Sequence, residues 1–154
     1  MDAASKALAD KVLGQVLVGK TVVGMYFRNP ILWFATVVDR VIQGDEVYLS
    51  IENDWACVPT TDLASYGDLA LMHHTEWQAL SSTALKLADS RAIKAEVDLS
   101  RSHRVIEFDD GHSFVALGDD MMYESWDLRA GDFQIVATPG TDLAIWHPDD
   151  FHAA

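Results

Sequence analysis

Apolar and polar residues alternate through much of this chain with the period of two that marks half-buried β-strands. The alternation is densest in residues 104–146, RVIEFDDGHSFVALGDDMMYESWDLRAGDFQIVATPGTDLAIW, which read as five short strands separated by turn signals. Asp110-Gly111 between apolar runs is a hairpin signal, because a type I′ turn needs positive φ, which Gly and Asp tolerate. An antiparallel meander follows. Phe133, Ile135 and Ala137 point to one face, with Asp132, Gln134 and Thr138 on the other. If MMYESWDL is a regular strand, Glu124 shares a face with Met122, Trp126 and Leu128, where an unpaired carboxylate costs several kcal/mol. A bulge or rim position that turns Glu124 outward is the simpler reading.

Upstream, Asp2 is placed to cap a helix whose apolar positions Ala3, Ala7, Leu8, Val12 and Leu13 recur near helical spacing, with Gly14 expected to weaken or end it. LVGKTVVGMYF and ILWFATVV are β-rich runs broken by the turn dipeptide Asn29-Pro30. Residues 43–45, Gln-Gly-Asp, supply the next turn signal before EVYLSI, and Trp55 to Val58 make a fourth strand ended by Pro59. In residues 75–91, TEWQALSSTALKLADSR, the residues Trp77, Leu80, Ala84, Leu87 and Ala88 share a helical face, which predicts a connecting helix. The run ASYGDLALMHH before it is ambiguous between a short helix and a loop. AIKAEVDLS then opens the second set of strands.

The two β-rich segments parallel one another: TVVGMYF, ILWFATV, EVYLSI and the Trp55 strand against AIKAEVDL, RVIEF, SFVAL and the Trp126 strand. The predicted fold class is α+β, a single domain over residues 1–154 of mostly antiparallel β meanders with an N-terminal helix and a connecting helix. Its segments 17–59 and 92–147 are expected to be similar halves, each burying the apolar face of the other. Trp33, Phe34, Leu49, Trp77, Phe114, Trp126, Ile135 and Trp146 are the expected core.

Composition changes this picture mainly through charge. Of the net −13, residues 1–95 carry 8 Lys+Arg against 11 Asp+Glu, whereas residues 96–154 carry 3 against 13. An acidic C-terminal half repels nucleic acid and anionic lipid and speeds association with a basic partner; its plainest reading is solubility. Asp109, Asp110, Asp119, Asp120, Glu124 and Asp127 lie in a span with no Lys or Arg. In a meander, alternate turns project from opposite ends, so Asp109 with Asp110 and Asp119 with Asp120 are expected at two edges of one sheet. The single cysteine, Cys57, excludes an internal disulfide and suits a buried thiol. Apolar runs fall short of the ~18 residues of a membrane span, and MDAASKALADKV lacks a signal peptide's apolar core, which predicts a cytoplasmic protein.

Motifs for nucleotide or acyl chemistry are absent: no Walker A loop, no GxGxxG after a strand, no G-x-S-x-G, no HExxH. His73, His74 and Glu76 are the best candidates for a metal, but adjacent histidines diverge by about 100 degrees on a helix and face opposite ways in a strand. No metal and no other cofactor is therefore expected. His103, His112, His147 and His152 fall at strand ends or near the C-terminus, where solvated histidine is ordinary. A nucleophile site on Cys57 would need a distant His and Asp, a trio that any chain of this size offers.

FDDG, YESWDL and ATPGTDLAIW, together with LVGKTVVGMYF, resemble a family of small bacterial domains of unknown function. That family repeats a Phe-Asp-Asp-Gly hairpin, a Tyr-Glu-x-Trp-Glu/Asp-Leu strand and a final Pro-Gly-Gly-x-Leu-Ala-x-Trp. Thr141 stands where the second Gly of the final turn would be. The resemblance covers about half of the chain and implies an immunity role beside secreted polymorphic toxins, with no catalytic residue to carry over. Three classes remain open. The first is a non-enzymatic acidic protein, monomeric, that neutralises a cognate basic toxin such as a nuclease or deaminase. In it Asp109, Asp110, Asp119, Asp120, Glu124 and Asp127 would meet the partner. The second is a ligand-binding or scaffold module, marked by an apolar cavity. The third is an enzyme with an unfamiliar site between the sheets.

Overall fold

The computed structural model describes residues 1–26, 30–66, 82 and 84–151. Most of the predicted connecting helix lies outside them, with Trp77, His73, His74 and Glu76; so do Asn29 and His152. At its described end a short 3-10 turn, Leu85–Leu87, buries Leu87. Arg91, expected inside that helix, bridges instead to Thr21 like a strand residue, because the positive φ of Asp89 (65°) turns the chain before it.

Helix α1 (Ala3–Leu17) opens the chain, and the Asp2 carboxylate caps it by accepting the Ser5 N–H at 2.7 Å. The helix passes Gly14 and does not end there. A mid-helix glycine costs only about 1 kcal/mol, and the next turn buries Val16 and Leu17. The chain leaves helical geometry at Val18, just before Gly19 at φ +87°. The buried face is Ala9, Val12, Leu13, Val16 and Leu17, further along than predicted, with Ala3 and Ala7 exposed.

Ten antiparallel strands follow among the described residues, in two sheets. Strands β1 (Thr21–Tyr26), β2 (Ile31–Val38) and β3 (Val41–Ile51) form one meander, and β5 (Ala92–Val97), β6 (Arg104–Phe108) and β7 (His112–Ala116) form another. Each meander sends its next strand into the opposite sheet. Strand β4 (Trp55–Pro59) pairs with β7, and β8 (Trp126–Ala130) pairs with β3. With β9 (Phe133–Thr138) and β10 (Asp142–Trp146), the sheets are ordered β1-β2-β3-β8-β9-β10 and β4-β7-β6-β5.

The two crossings match in register. Ile51, the last residue of β3, faces Trp126, the first of β8; Ala116, the last of β7, faces Trp55, the first of β4. The next backbone bonds correspond too, with Glu52 donating to the Ser125 carbonyl and Leu117 to that of Asp54, both at 2.9 Å. A third link closes the far side, where Lys20 and Val22 exchange backbone hydrogen bonds with Ala92, Ser90 and Asp89.

Residues 43–45 are not the turn that the sequence suggests. Strand β3 runs through them with a bulge, Phe34 pairing with Val47 and Thr36 with Gln43, while Gly44 sits at φ +72°. Asp39 and Arg40, at φ 50° and 66°, make the two-residue hairpin instead. The run MMYESWDL is strand only from Trp126, and Glu124 is exposed in the connection before it. Its outward position therefore needs no buried partner.

Of the expected core, Phe34, Leu49, Phe114, Trp126 and Ile135 are fully buried, whereas Trp33 and Trp146 are 39% and 53% exposed. These two stand at either end of a cross-strand row, Trp33–Tyr48–Arg129–Gln134–Trp146, on the outer face of the six-stranded sheet. The opposite face of that sheet takes Phe34, Leu49, Leu128 and Ile135 into the core. Trp33 lies across Gly24, where a Cβ would come within 2.2 Å of the indole. Cys57 is buried, and burial pushes its thiol up to about 12, which keeps it protonated at neutral pH.

Among the buried apolar side chains sits Arg104, 0% exposed, on the core face of β6 with Ile106 and Phe108. Its guanidinium stacks 5.0 Å from the centre of the Trp126 ring, and its three nitrogens make no hydrogen bond among the described residues. Burial brings its pKa down to about 9. A desolvated charge without an acceptor costs more than ring stacking returns. Replacing Arg104 by Met, which keeps a soft contact on the indole, is therefore expected to leave stability unchanged or to raise it by about 1–3 kcal/mol in urea titrations. A loss of more than about 2 kcal/mol would show that an acceptor holds the charge.

Candidate partner-binding surface

Asp109 and Asp110 occupy the β6–β7 turn and Asp119 and Asp120 follow β7, so the two acidic pairs lie at opposite ends of that strand, as the meander predicts. Five strand residues separate them by roughly 17 Å. The structure does not join the six predicted residues into one patch. Several are already engaged. Asp109 accepts the Arg91 N–H at 2.9 Å and lies 3.7 Å from its side chain. Asp110 accepts the His112 N–H at 2.9 Å. Asp127, on the outer sheet face, accepts from Arg129 at 2.8 Å and Gln134 at 3.1 Å. These carboxylates shape turns and pair neighbours, so charge is not their whole role.

The connection 117–125 gathers the remaining three. Asp120 accepts the Met122 and Tyr123 N–H groups at 2.7 and 3.0 Å, and these bonds hold its pKa below the ordinary carboxylate value. Its own carbonyl accepts from Gly140 at 3.1 Å. Ser125 is fully buried, donating its backbone N–H to Ala137 at 3.0 Å. Between these anchors Met121, Met122 and Tyr123 are 71%, 75% and 72% exposed, flanked by Asp119 and Glu124. Sequence reading missed this apolar tip because it took the residues for a strand. The available signal was an Asp two and three residues before backbone donors, which marks an Asx turn.

The base of the connection is clamped from below. Gly118 packs so closely on residue 102 that a Cβ would lie 2.0 Å from the Ser102 carbonyl oxygen. The same carbonyl accepts the Trp126 indole N–H at 3.0 Å. The Gly118 N–H donates to His103 Nδ1 at 3.0 Å, which fixes Nδ1 as an acceptor; Nε2 is buried with no hydrogen bond among the described residues, 3.9 Å from Asp119. His103 is therefore neutral here. Burial, the largest influence, lowers its pKa from 6.5 against the opposing pull of Asp119 and Asp98, and Arg101 lowers it further.

Among the described residues no three His, Cys, Asp or Glu side chains come together as a metal site, and no helix is long and apolar enough to cross a membrane. An open cleft of about 410 Å³ lies between α1 and the C-terminal segment, lined by Lys11, Gln15, Phe133, Pro148, Asp150 and Phe151. A smaller, mainly apolar one of about 160 Å³ lies between β1 and residues 84–89. Comparison with protein-family models, curated proteins and solved structures finds no match for this chain.

The neutral His103 makes a pH prediction. The unfolded chain, with an ordinary pKa near 6.5, binds a proton that the native state refuses, so stability falls as pH drops through that value toward the lowered native one. Lowering the pH from about 7.5 to about 5.5 is expected to reduce Tm, and His103→Gln to remove part of that slope. Identical slopes for the two proteins would show that protonation here is not coupled to folding.

Proposed function

We propose that this chain is a non-enzymatic acidic binding protein, an immunity protein that neutralises a cognate basic toxin of the nuclease or deaminase kind by direct contact. The observation that carries the reading is the acidic C-terminal half itself: no Lys or Arg occurs between Asp109 and Asp127, and the carboxylates there stand in turns or on the outer sheet face. Such a surface can place carboxylates where a toxin expects phosphates, with arginine pairs giving bidentate bonds, while it repels nucleic acid and anionic lipid. The resemblance of FDDG, YESWDL and ATPGTDLAIW to toxin-associated domains points the same way. The protein acts as a monomer in the cytoplasm and uses no cofactor. Its segments 17–59 and 92–147 are a duplicated unit, a reading supported by the matched crossings at Trp55 and Trp126.

The test is co-expression with the toxin effector domain that this reading expects to be encoded beside the gene, scored by survival of the host and by co-purification. Asp119→Lys with Glu124→Lys, and separately Asp109→Asn with Asp110→Asn, which keep an acceptor oxygen for the Arg91 and His112 amides, are expected to slow association several-fold and to make it less sensitive to salt, with the fold retained. Parent-like binding and protection by both pairs would place the interface elsewhere.

A further inference from the structure

The crossings between the sheets show how short such a connection can be. Strand β3 passes to β4 through residues 52–54, three residues, whereas β7 passes to β8 through residues 117–125, nine. Both connections begin and end at the same register and close with the same pair of backbone bonds. Six residues are therefore surplus to the crossing. They include Met121, Met122 and Tyr123, which give the core nothing and are each more than 70% exposed. Contiguous exposed apolar side chains carry a solubility and aggregation burden, and are ordinarily found where something covers them.

The tip is also built to keep its shape. The Asp120 side chain fixes the Met122 and Tyr123 amides, the Asp120 carbonyl is tied to Gly140, and buried Ser125 closes the other side. An anchor held in one conformation before contact loses less entropy on binding. Met and Tyr suit that task, since both are enriched at interfaces and the thioether adapts to an irregular socket. The charge around the tip selects the occupant. Asp119 and Glu124 flank it, and the nearest basic residues in sequence are Arg104 and Arg129, the first buried and the second paired with Asp127.

We propose that Met121, Met122 and Tyr123 form the anchor by which this chain docks its partner, filling an apolar socket on a basic protein while Asp119 and Glu124 face the socket's cationic rim. This inference rests on the proposed function for the partner's class, and adds that affinity resides in the apolar tip. The surrounding acid governs the rate of encounter.

The probe is the toxin effector domain that the proposed function expects beside this gene, inactivated in its own catalytic site and titrated by surface plasmon resonance at two salt concentrations. Met122→Ser with Tyr123→Ser is expected to raise Kd roughly 10- to 100-fold, through faster dissociation, with Tm and salt dependence unchanged. Asp119→Asn with Glu124→Gln is expected to lower the association rate and flatten the salt dependence, with little change in dissociation. A benzophenone side chain at position 123 should crosslink to the toxin domain, and one at Ile93, exposed on another strand, should not. If the parent binds while the Met122/Tyr123 pair keeps its dissociation rate, the anchor is elsewhere and only this inference falls. If the parent itself neither binds nor protects, the proposed function falls with it. Should sedimentation of the chain alone show self-association that the Met122/Tyr123 pair abolishes, the tip serves a second copy and this proposal is overturned.

Discussion

The constraint on which the rest depends is the double crossing of strands between sheets. A three-stranded meander has one apolar face and nothing of its own to cover it; here each meander is locked to the other by lending it a strand. Because Ile51 pairs with Trp126 and Ala116 with Trp55, the two loans share one register. A slip in either would turn an indole out of the core and carry the following strand with it. The buried aromatics sit close to these joints: Trp55 stacks on Phe114 at 5.4 Å, and Trp126 is fully buried beneath Arg104.

Polar groups are concentrated near the longer of the two crossings. The Ser102 carbonyl meets both Gly118 and the Trp126 indole, His103 holds the Gly118 amide, and Arg104 lies on the Trp126 ring. Of these, the guanidinium has no hydrogen-bond partner among the described residues, whereas the His103 and Ser102 contacts fix the base of connection 117–125. The fold thus spends polar interactions where a long connection must be held. The shorter crossing spans three residues, where Asn53 accepts the Asp54 N–H at 2.8 Å and reaches Ser125 Oγ beside the backbone bonds.

The proposed function draws on what that base supports. Many of the acidic side chains that dominate the C-terminal half cap turns or pair with neighbours, so they shape the surface as well as charge it. Long-range charge can steer a basic partner, but exposed ion pairs add little affinity. The tight grip expected of a stoichiometric inhibitor needs desolvated apolar anchors. Connection 117–125 presents both kinds of group on one preorganised support.

The sequence by itself determined most of the strands, the Asp2 cap, a hairpin at Asp110-Gly111 and the acidity of the second half, although the hairpin loop is the three residues 109–111 with only Gly111 at positive φ (86°), not the two-residue type I′ turn. Each of these is local: a period of two, a capping carboxylate, a residue that tolerates positive φ, a count of charges. It also placed Phe34, Leu49, Phe114, Trp126 and Ile135 in the core, because alternation names a buried face whenever the strand is long enough. Only the tertiary structure decided which face of the six-stranded sheet stays open, leaving Trp33 and Trp146 exposed, since periodicity separates two faces without saying which one meets another layer. It alone showed that the 43–45 turn signal is a bulge inside β3, because the partner strand sets the register. The exposed tip at Met121, Met122 and Tyr123 was hidden for the same reason. Its residues fit a strand pattern, and what ends the strand at Trp126 is the pairing partner supplied by β3, some 75 residues earlier in the chain.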